Sequence, residues 1–276
     1  MIGVAVITGT THGIGRITSL ELARAGARVV MLCRDVRAGE AVRGEIVARV
    51  PGASIEVLEC DLASLDSVRR CARAVQESSP RLRLLINNAG TVSVGHRMSA
   101  DGYELTFATN HLGPFLLTRL LGSHLEEGAR IVNVASRAHL RGCMDLEGIT
   151  DPRARYRSAA AYARSKLANV MSTFALARRL SGTGVTVNCL HPGVIASNLL
   201  PRWLRLVKPL ISRPIFDLER GARTTLFVAL APEVSGRTGL YFDEHQIPQT
   251  ASAVACDVCL QESLWQASSR WVGLAP

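Results

Sequence analysis

Apolar runs of four to seven residues recur along the chain and are separated by amphipathic stretches. Residues 2–7, 28–33, 54–59, 82–86, 129–135, 185–190 and 239–242 read as short buried strands, because they are apolar almost throughout and bounded by turn residues. Helical periodicity fills most of the intervals: 14–25, 37–49, 64–78, 99–122, 158–182, 219–231 and 251–271. Strands that are apolar on both faces and alternate with helices predict βαβ units. The fold class is therefore α/β, a doubly wound, mainly parallel sheet of about seven strands with helices on both faces. No linker, repeat or low-complexity segment interrupts the pattern, so a single domain over 1–276 is expected. The one irregular stretch is 194–217, after the sixth strand.

Composition narrows the class. Of the 276 residues, 47% are hydrophobic and 20% charged, which suits a folded globule and not a disordered chain. No apolar run reaches the ~18 residues of a membrane helix. The opening Met1-Ile2-Gly3-Val4-Ala5-Val6-Ile7 reads as a first strand and not as a signal peptide. The net charge of +9 comes almost wholly from dispersed arginines, with no basic run and no aromatic interleaving. It reads as a solvated surface, and nucleic acid is not an expected partner. The seven cysteines (33, 60, 71, 143, 189, 256 and 259) are scattered and odd in number. They read as reduced thiols in a cytoplasmic protein. Cys256-x-x-Cys259 has no second ligand pair, so no metal site is expected.

The candidate chemistry lies where strands end, which is where ligands bind in a doubly wound sheet. After the first strand comes Thr8-Gly9-Thr10-Thr11-His12-Gly13-Ile14-Gly15. Gly9 permits a tight turn, Gly13 a close approach of a pyrophosphate, and Gly15 the packing of helix on sheet; the helix N-terminus then faces the phosphates. His12 reads as a phosphate-side loop residue. The second strand ends Cys33-Arg34-Asp35. Cys33 stands where an NAD site would place a carboxylate, and the Arg34 guanidinium suits a 2′-phosphate, hence NADP(H). The alternatives are that Arg34 is merely solvated and that Asp35 caps the next helix. Asp61, followed by Leu62, could accept from an adenine amino group or cap a helix. Asn87-Asn88-Ala89-Gly90 ends the fourth strand with small residues that let a cofactor pass. Tyr162 and Lys166 are four residues apart and share a helix face. A fixed ammonium there would bring a phenol toward the working range, although such pairs also occur on solvated helices.

These motifs, in this order, resemble those of the short-chain dehydrogenases/reductases over nearly the whole chain. They are T-G-x-x-x-G-I-G, N-N-A-G, Asn110, Ser136, Y-x-x-x-K and Pro192-Gly193. Cys33-Arg34-Asp35, Ala100-Asp101-Gly102-Tyr103-Glu104, Asn110-His111-Leu112-Gly113-Pro114-Phe115, Ala138-His139 and Gly239-Leu240-Tyr241-Phe242 are similar to the retinol dehydrogenase-like branch. The resemblance implies a Rossmann-type fold and NADP(H)-dependent hydride transfer to or from a carbonyl or alcohol of an apolar small molecule. It implies Tyr162 as proton donor or acceptor, and Lys166 lowering the Tyr162 pKa and holding the nicotinamide ribose. It further implies Ser136 on the substrate carbonyl, and Asn110 positioning a relay water. Pro192, Gly193 and Val194 would close over the nicotinamide, with Ser197 where the family often has Thr. Residues 194–217 resemble the family's substrate lid, with Trp203 against substrate. Because apolar and basic residues mix over 197–216, this stretch could instead lie on a membrane surface. The second class of function is an NADP(H)-sensing interaction module that has lost catalysis. The oligomeric state is left open.

Overall fold

The structure is a computed structural model, and it describes residues 2–151, 155–193 and 218–276. Among these, eight strands form one sheet in the order β3-β2-β1-β4-β5-β6-β7-β8. They are β1 (Val4–Thr8), β2 (Arg28–Cys33), β3 (Ile55–Glu59), β4 (Leu82–Asn87), β5 (Leu125–Val134), β6 (Thr186–Leu190), β7 (Tyr241–Phe242) and β8 (Pro248–Gln249). Every pair is parallel except β7–β8. The strand β8 is the addition to the predicted set; it is exposed and two residues long, too short to carry a hydrophobic signature.

Each apolar run serves two cores, because successive side chains point to opposite faces. Val6, Leu85, Ile131 and Val187 face one core, shared with α3 (Leu65–Ser78), α5 (Gly113–Leu121), α6 (Ser158–Arg179) and α9 (Val258–Trp271). Ala5, Ile7, Leu84, Ile86 and Val132 face the other, with α1 (Gly13–Arg24), α2 (Val36–Arg49) and α7 (Leu218–Leu230). A short α8 (Ala253–Cys256) precedes α9.

The predicted helix over 99–122 is not one helix. Residues 99–103 form a turn closed by the Ser99 N–H on the Tyr103 carbonyl, and Gly102 sits at φ +80. The helix α4 (Leu105–Phe107) starts only after Glu104, whose carboxylate accepts from the Thr106 and Phe107 N–H groups at 2.8 and 2.9 Å. It passes through a π-helical turn, Ala108–Leu112, into α5. The helix α5 can approach the loop after β3 because Gly113 has no side chain; a Cβ there would stand 2.3 Å from the Leu62 carbonyl oxygen. The sheet order reverses between β1 and β4, and this switch point is where such sheets open a crevice at their carboxyl edge.

Candidate active site

The turns after β1 and β4 are locked together across the switch point. The Thr8 hydroxyl accepts from the Asn88 and Ala89 N–H groups, each at 3.0 Å. The Asn88 amide donates to the Thr8 and Gly9 carbonyls at 2.8 and 3.2 Å. The Asn88 side chain is thus committed to the backbone, and Asn87 is buried with Thr118 and Asn133. Gly9, at φ +72, lies so close to the neighbouring turn that a Cβ would be 2.8 Å from the Ala89 Cα. Gly15 packs harder still, with a Cβ placed 2.2 Å from the Gly9 oxygen.

Gly13 differs from both. It sits at φ +62, and its Cβ would meet nothing nearer than Leu218 at 4.0 Å. His12 precedes it as N-cap of α1 in extended backbone, without a side-chain cap, and the first turn carries no acidic residue. Asp35 and Ser64, in contrast, cap α2 and α3 with their side chains. The N–H groups at the start of α1 are therefore left for an external acceptor, and a pyrophosphate fits this donor set. Thr11 pairs with His12 at 3.0 Å, and Ile14 is half-buried in the first turn.

At the end of β2, Cys33 is buried and its thiol donates to the Asp35 carbonyl at 3.3 Å. The Asp35 carboxylate accepts from the Ala38 N–H at 3.0 Å, so it caps α2. Arg34 is exposed and makes no hydrogen bond or ion pair among the described residues. Asp61 forms a local turn, its Oδ1 accepting from the Ala63 N–H at 3.0 Å; the helix cap is Ser64. Leu62 is buried against Gly113.

Four side chains converge beside Gly90. The end of β5 delivers Ser136, α6 delivers Tyr162 and Lys166, and the π-helical turn delivers Asn110. The extra residue of the π turn swings Asn110 inward, where it is fully buried. Its Oδ1 accepts from the Thr91 N–H at 2.7 Å, and its amide donates to the Thr91 carbonyl at 2.9 Å and the Ser165 hydroxyl at 3.0 Å. Both donors are used, and one Oδ1 lone pair remains. A Cβ on Gly90 would lie 3.4 Å from Lys166 Nζ and 3.7 Å from Asn110 Oδ1, so both polar atoms face the space over this glycine.

The Lys166 ammonium donates to the Val134 carbonyl at 2.7 Å and lies 5.7 Å from the centre of the Tyr162 ring. Burial pulls its pKa down to about 8. Burial also raises the Tyr162 phenol, and the Ser136 hydroxyl is the group that pulls it back. The lowering of Tyr162 expected from Lys166 is thus not seen in this structure. The ammonium is turned to the strand carbonyl, a partner that side-chain spacing does not reveal.

Lys166 carries a stability cost with a definite sign. Its charged form is disfavoured in the fold, so stability should rise with pH from about 8 toward the unfolded value near ~10.4 and be lost as pH falls back through about 8. Replacement by the neutral Lys166→Met should stabilise the protein at pH 7 by on the order of 1–2 kcal/mol, the desolvation cost less the lost charged hydrogen bond. Urea unfolding at pH 7 and pH 9.5 checks this: an unchanged or lowered midpoint at pH 7 counts against a strained buried ammonium.

Pro192 is buried just beyond β6, and Gly193 follows at φ +90. The His191 N–H donates to the Phe242 carbonyl at 2.8 Å and so sets this turn on the sheet edge. Val194, Ser197, Trp203 and the expected lid over 194–217 lie outside the described residues. Thr8, Thr91 and Ser165, which hold the site together, were not among the sequence candidates. Thr8 stood inside the quoted glycine motif, but the other two carry no pattern of their own. Among the described residues no cluster of His, Cys, Asp or Glu could hold a metal, and no helix is long and apolar enough to cross a membrane.

The sequence pattern of the short chain dehydrogenase family matches residues 3–205. Mouse (Mus musculus) retinol dehydrogenase 14 is 40% identical over 98% of this chain and 85% of its own length. Human (Homo sapiens) retinol dehydrogenase 13 is 40% identical over 98% of this chain and 84% of its own. Among solved structures, an uncharacterised protein from Mycobacterium Paratuberculosis superposes with a TM-score of 0.80 at 35% identity, covering 99% of this chain and 94% of that one. A short chain dehydrogenase from Burkholderia cenocepacia J2315 in complex with NADP has a TM-score of 0.70 at 26% identity, with 87% and 94% covered. With the glycine turn, the Ser–Tyr–Lys–Asn group and the parallel sheet in place, the chain belongs to the short-chain dehydrogenase/reductase family of oxidoreductases, in its retinol dehydrogenase-like branch.

Proposed function

We propose that this protein is an NADP(H)-dependent oxidoreductase that moves hydride between nicotinamide and a carbonyl, or a primary or secondary alcohol, of an apolar small molecule. The observation that carries the reading is the convergence of Ser136, Tyr162, Lys166 and Asn110 beside Gly90, next to an uncapped helix and an open glycine turn. When bound, the nicotinamide supplies the hydride. The rest is the work of this chain. With its phenol raised by burial, Tyr162 holds its proton at neutral pH and can give it to a carbonyl oxygen during reduction. The Ser136 Oγ accepts from the Ala138 N–H at 3.2 Å, and its own hydrogen, directed at the Tyr162 oxygen at rest, can turn to the same carbonyl. Lys166 spends one of its three N–H bonds on Val134 and keeps two for ribose hydroxyls. The remaining lone pair of Asn110 Oδ1 can hold a water behind Lys166.

Preference for the phosphorylated cofactor is supported by the absence of any uncommitted carboxylate at the end of β2. Cys33 occupies the ribose position, Asp35 is spent on its helix cap, and Arg34 projects unpaired among the described residues. The NADP complex of the Burkholderia cenocepacia relative is in keeping with it. An apolar substrate class accords with the retinol dehydrogenase names of the relatives. A cytoplasmic setting is proposed from the seven free thiols.

The test is a panel of apolar aldehydes, ketones and alcohols, retinoids included, scored by NADPH consumption or formation. Turnover of at least one class is expected. A protein that binds NADPH but turns over none of them would be a cofactor sensor instead. Arg34→Ala should weaken NADPH binding roughly ten- to a hundredfold, the loss of a charged hydrogen bond of ~1.5–3 kcal/mol, and leave NADH unchanged. Titration showing equal loss for both cofactors would contradict the assignment of Arg34.

A further inference from the structure

His139 is fully buried, yet both ring nitrogens of its imidazole meet polar backbone. Its Nδ1 lies 2.8 Å from the Ser136 carbonyl oxygen, and its own backbone N–H reaches the same oxygen at 3.0 Å. Its Nε2 lies 3.4 Å from the Ser252 N–H. A carbonyl can only accept and a backbone N–H can only donate. The ring is therefore neutral, with its proton on Nδ1 and an acceptor at Nε2. A single residue thus occupies both lone pairs of the Ser136 carbonyl and ties that peptide to the segment before α8. The Tyr241 ring closes on the imidazole edge-to-face, with centroids 4.7 Å apart.

The turn that His139 closes is the one that aims Ser136. Residues Arg137–Arg141 form a 3₁₀ helix whose N-cap is Ser136, in extended backbone. The turn continues to Gly142, whose N–H donates to the His139 carbonyl at 3.0 Å. Gly142 is seated on α6, where a Cβ would be 2.8 Å from the Ala163 carbonyl oxygen. Ala163 follows Tyr162 directly. The peptide orientation of Ser136 therefore sets where its hydroxyl stands against the Tyr162 hydroxyl.

We propose that His139 is a positioning residue for the reaction: its neutral, Nδ1-protonated imidazole fixes the Ser136 peptide and so holds the serine hydroxyl in register with Tyr162. This rests on the oxidoreductase reading above. Loss of the Nδ1 donor acts on geometry at the reacting oxygen and not on cofactor binding, which uses Lys166 and the turns after β1, β2, β4 and β6, to none of which His139 is hydrogen-bonded.

Three substitutions separate the two ring nitrogens. The amide nitrogen of Asn overlays Nδ1, the amide of Gln reaches only toward Nε2, and Leu fills the space with neither. His139→Leu and His139→Gln should lower kcat by ~10–100-fold, the size expected for a small misplacement of a reacting group. NADPH affinity should be unchanged in both, and His139→Asn should stay within a few fold of wild type. In a Ser136→Ala background, His139→Leu should cause no further loss, since there is no hydroxyl left to aim. An equal loss in that background, or a wild-type kcat for His139→Leu, overturns the proposal. Nitrogen-15 NMR of the resting protein at pH 7 reads the tautomer without any turnover: Nδ1–H is expected, and an Nε2–H or charged ring overturns the proposal. If wild type turns over no compound, the oxidoreductase reading falls, and the NMR result still decides the role of His139 at the Ser136 peptide.

Discussion

Tyr162→Phe should abolish turnover while the protein still folds and still binds cofactor. The substitution removes one oxygen and leaves the ring, so the packing of α6 is preserved. Lys166 does not depend on that oxygen: its ammonium is held by the Val134 carbonyl, and its distance of 5.7 Å is to the ring and not to the hydroxyl. The cofactor side of the site should therefore be unaltered. The proton that neutralises the substrate oxygen, however, has no second source in the same position. Ser136 can share a hydrogen bond, but an aliphatic hydroxyl is too weak an acid to replace the phenol. General acid–base groups typically contribute ~10²–10⁴-fold, and a loss at or beyond the upper end is expected here. The measurement is kcat with the best substrate of the panel, alongside NADPH titration by fluorescence. Turnover within a few fold of wild type would remove Tyr162 from the chemistry.

The electrostatics of this pair differ from what spacing alone suggests. An ammonium four residues along a helix from a phenol stabilises the phenolate by an amount set by the distance between the two heads and by the medium around them. Here burial acts on both groups first, raising Tyr162 and lowering Lys166 to about 8. The resting site thus holds a protonated phenol and an ammonium close to losing its proton. A phenol raised by burial is a weaker acid, so a lowering toward the working range has to come from groups that face it when the site is filled.

Strand positions could be read from the sequence because seven of the eight strands bring side chains to a core, and an apolar run survives any detail of register. The start of β5 could not, since Gly128 at φ +77 and a register shift between Leu82 and Leu84 let Leu125 pair four residues before the apolar run begins. The break between α8 and α9 was hidden because Asp257 adopts extended backbone and caps the second helix with its side chain, while no proline or glycine marks the boundary. The π-helical turn at Asn110 lies in a segment buried nearly all round, so periodicity carries no signal there. The site residues were legible as motifs, and their partners were not. Motifs name side chains, whereas Lys166 is held by a carbonyl of β5, Asn110 by the backbone of Thr91, and Ser136 by a ring three residues on.

The glycine turn gives the second large effect, and it separates a packing requirement from a preference. Gly15→Ala should cost both stability and cofactor binding. The added Cβ would stand 2.2 Å from the Gly9 carbonyl oxygen, 2.9 Å from the Gly9 carbonyl carbon and 2.5 Å from the Asn88 amide nitrogen. Two of these are backbone atoms and cannot rotate away. Relief requires the turn after β1 to move off α1, which breaks the 3.2 Å bond from Asn88 to the Gly9 carbonyl and shifts the Gly13 backbone facing the phosphates. Overpacking of this kind typically costs ~1–3 kcal/mol, and the lost hydrogen bond adds about 1. Gly44, exposed within α2, is the control. Its Cβ would meet nothing within 4 Å, so Gly44→Ala should stabilise the protein by roughly 0.5–1 kcal/mol through helix propensity alone. Urea unfolding and NADPH titration on the two variants should therefore move in opposite directions for stability, with NADPH binding lost only for Gly15→Ala. A Gly15→Ala protein as stable as wild type, with unaltered NADPH affinity, would mean that the turn after β1 does not sit against α1 in the way that makes it a phosphate cradle.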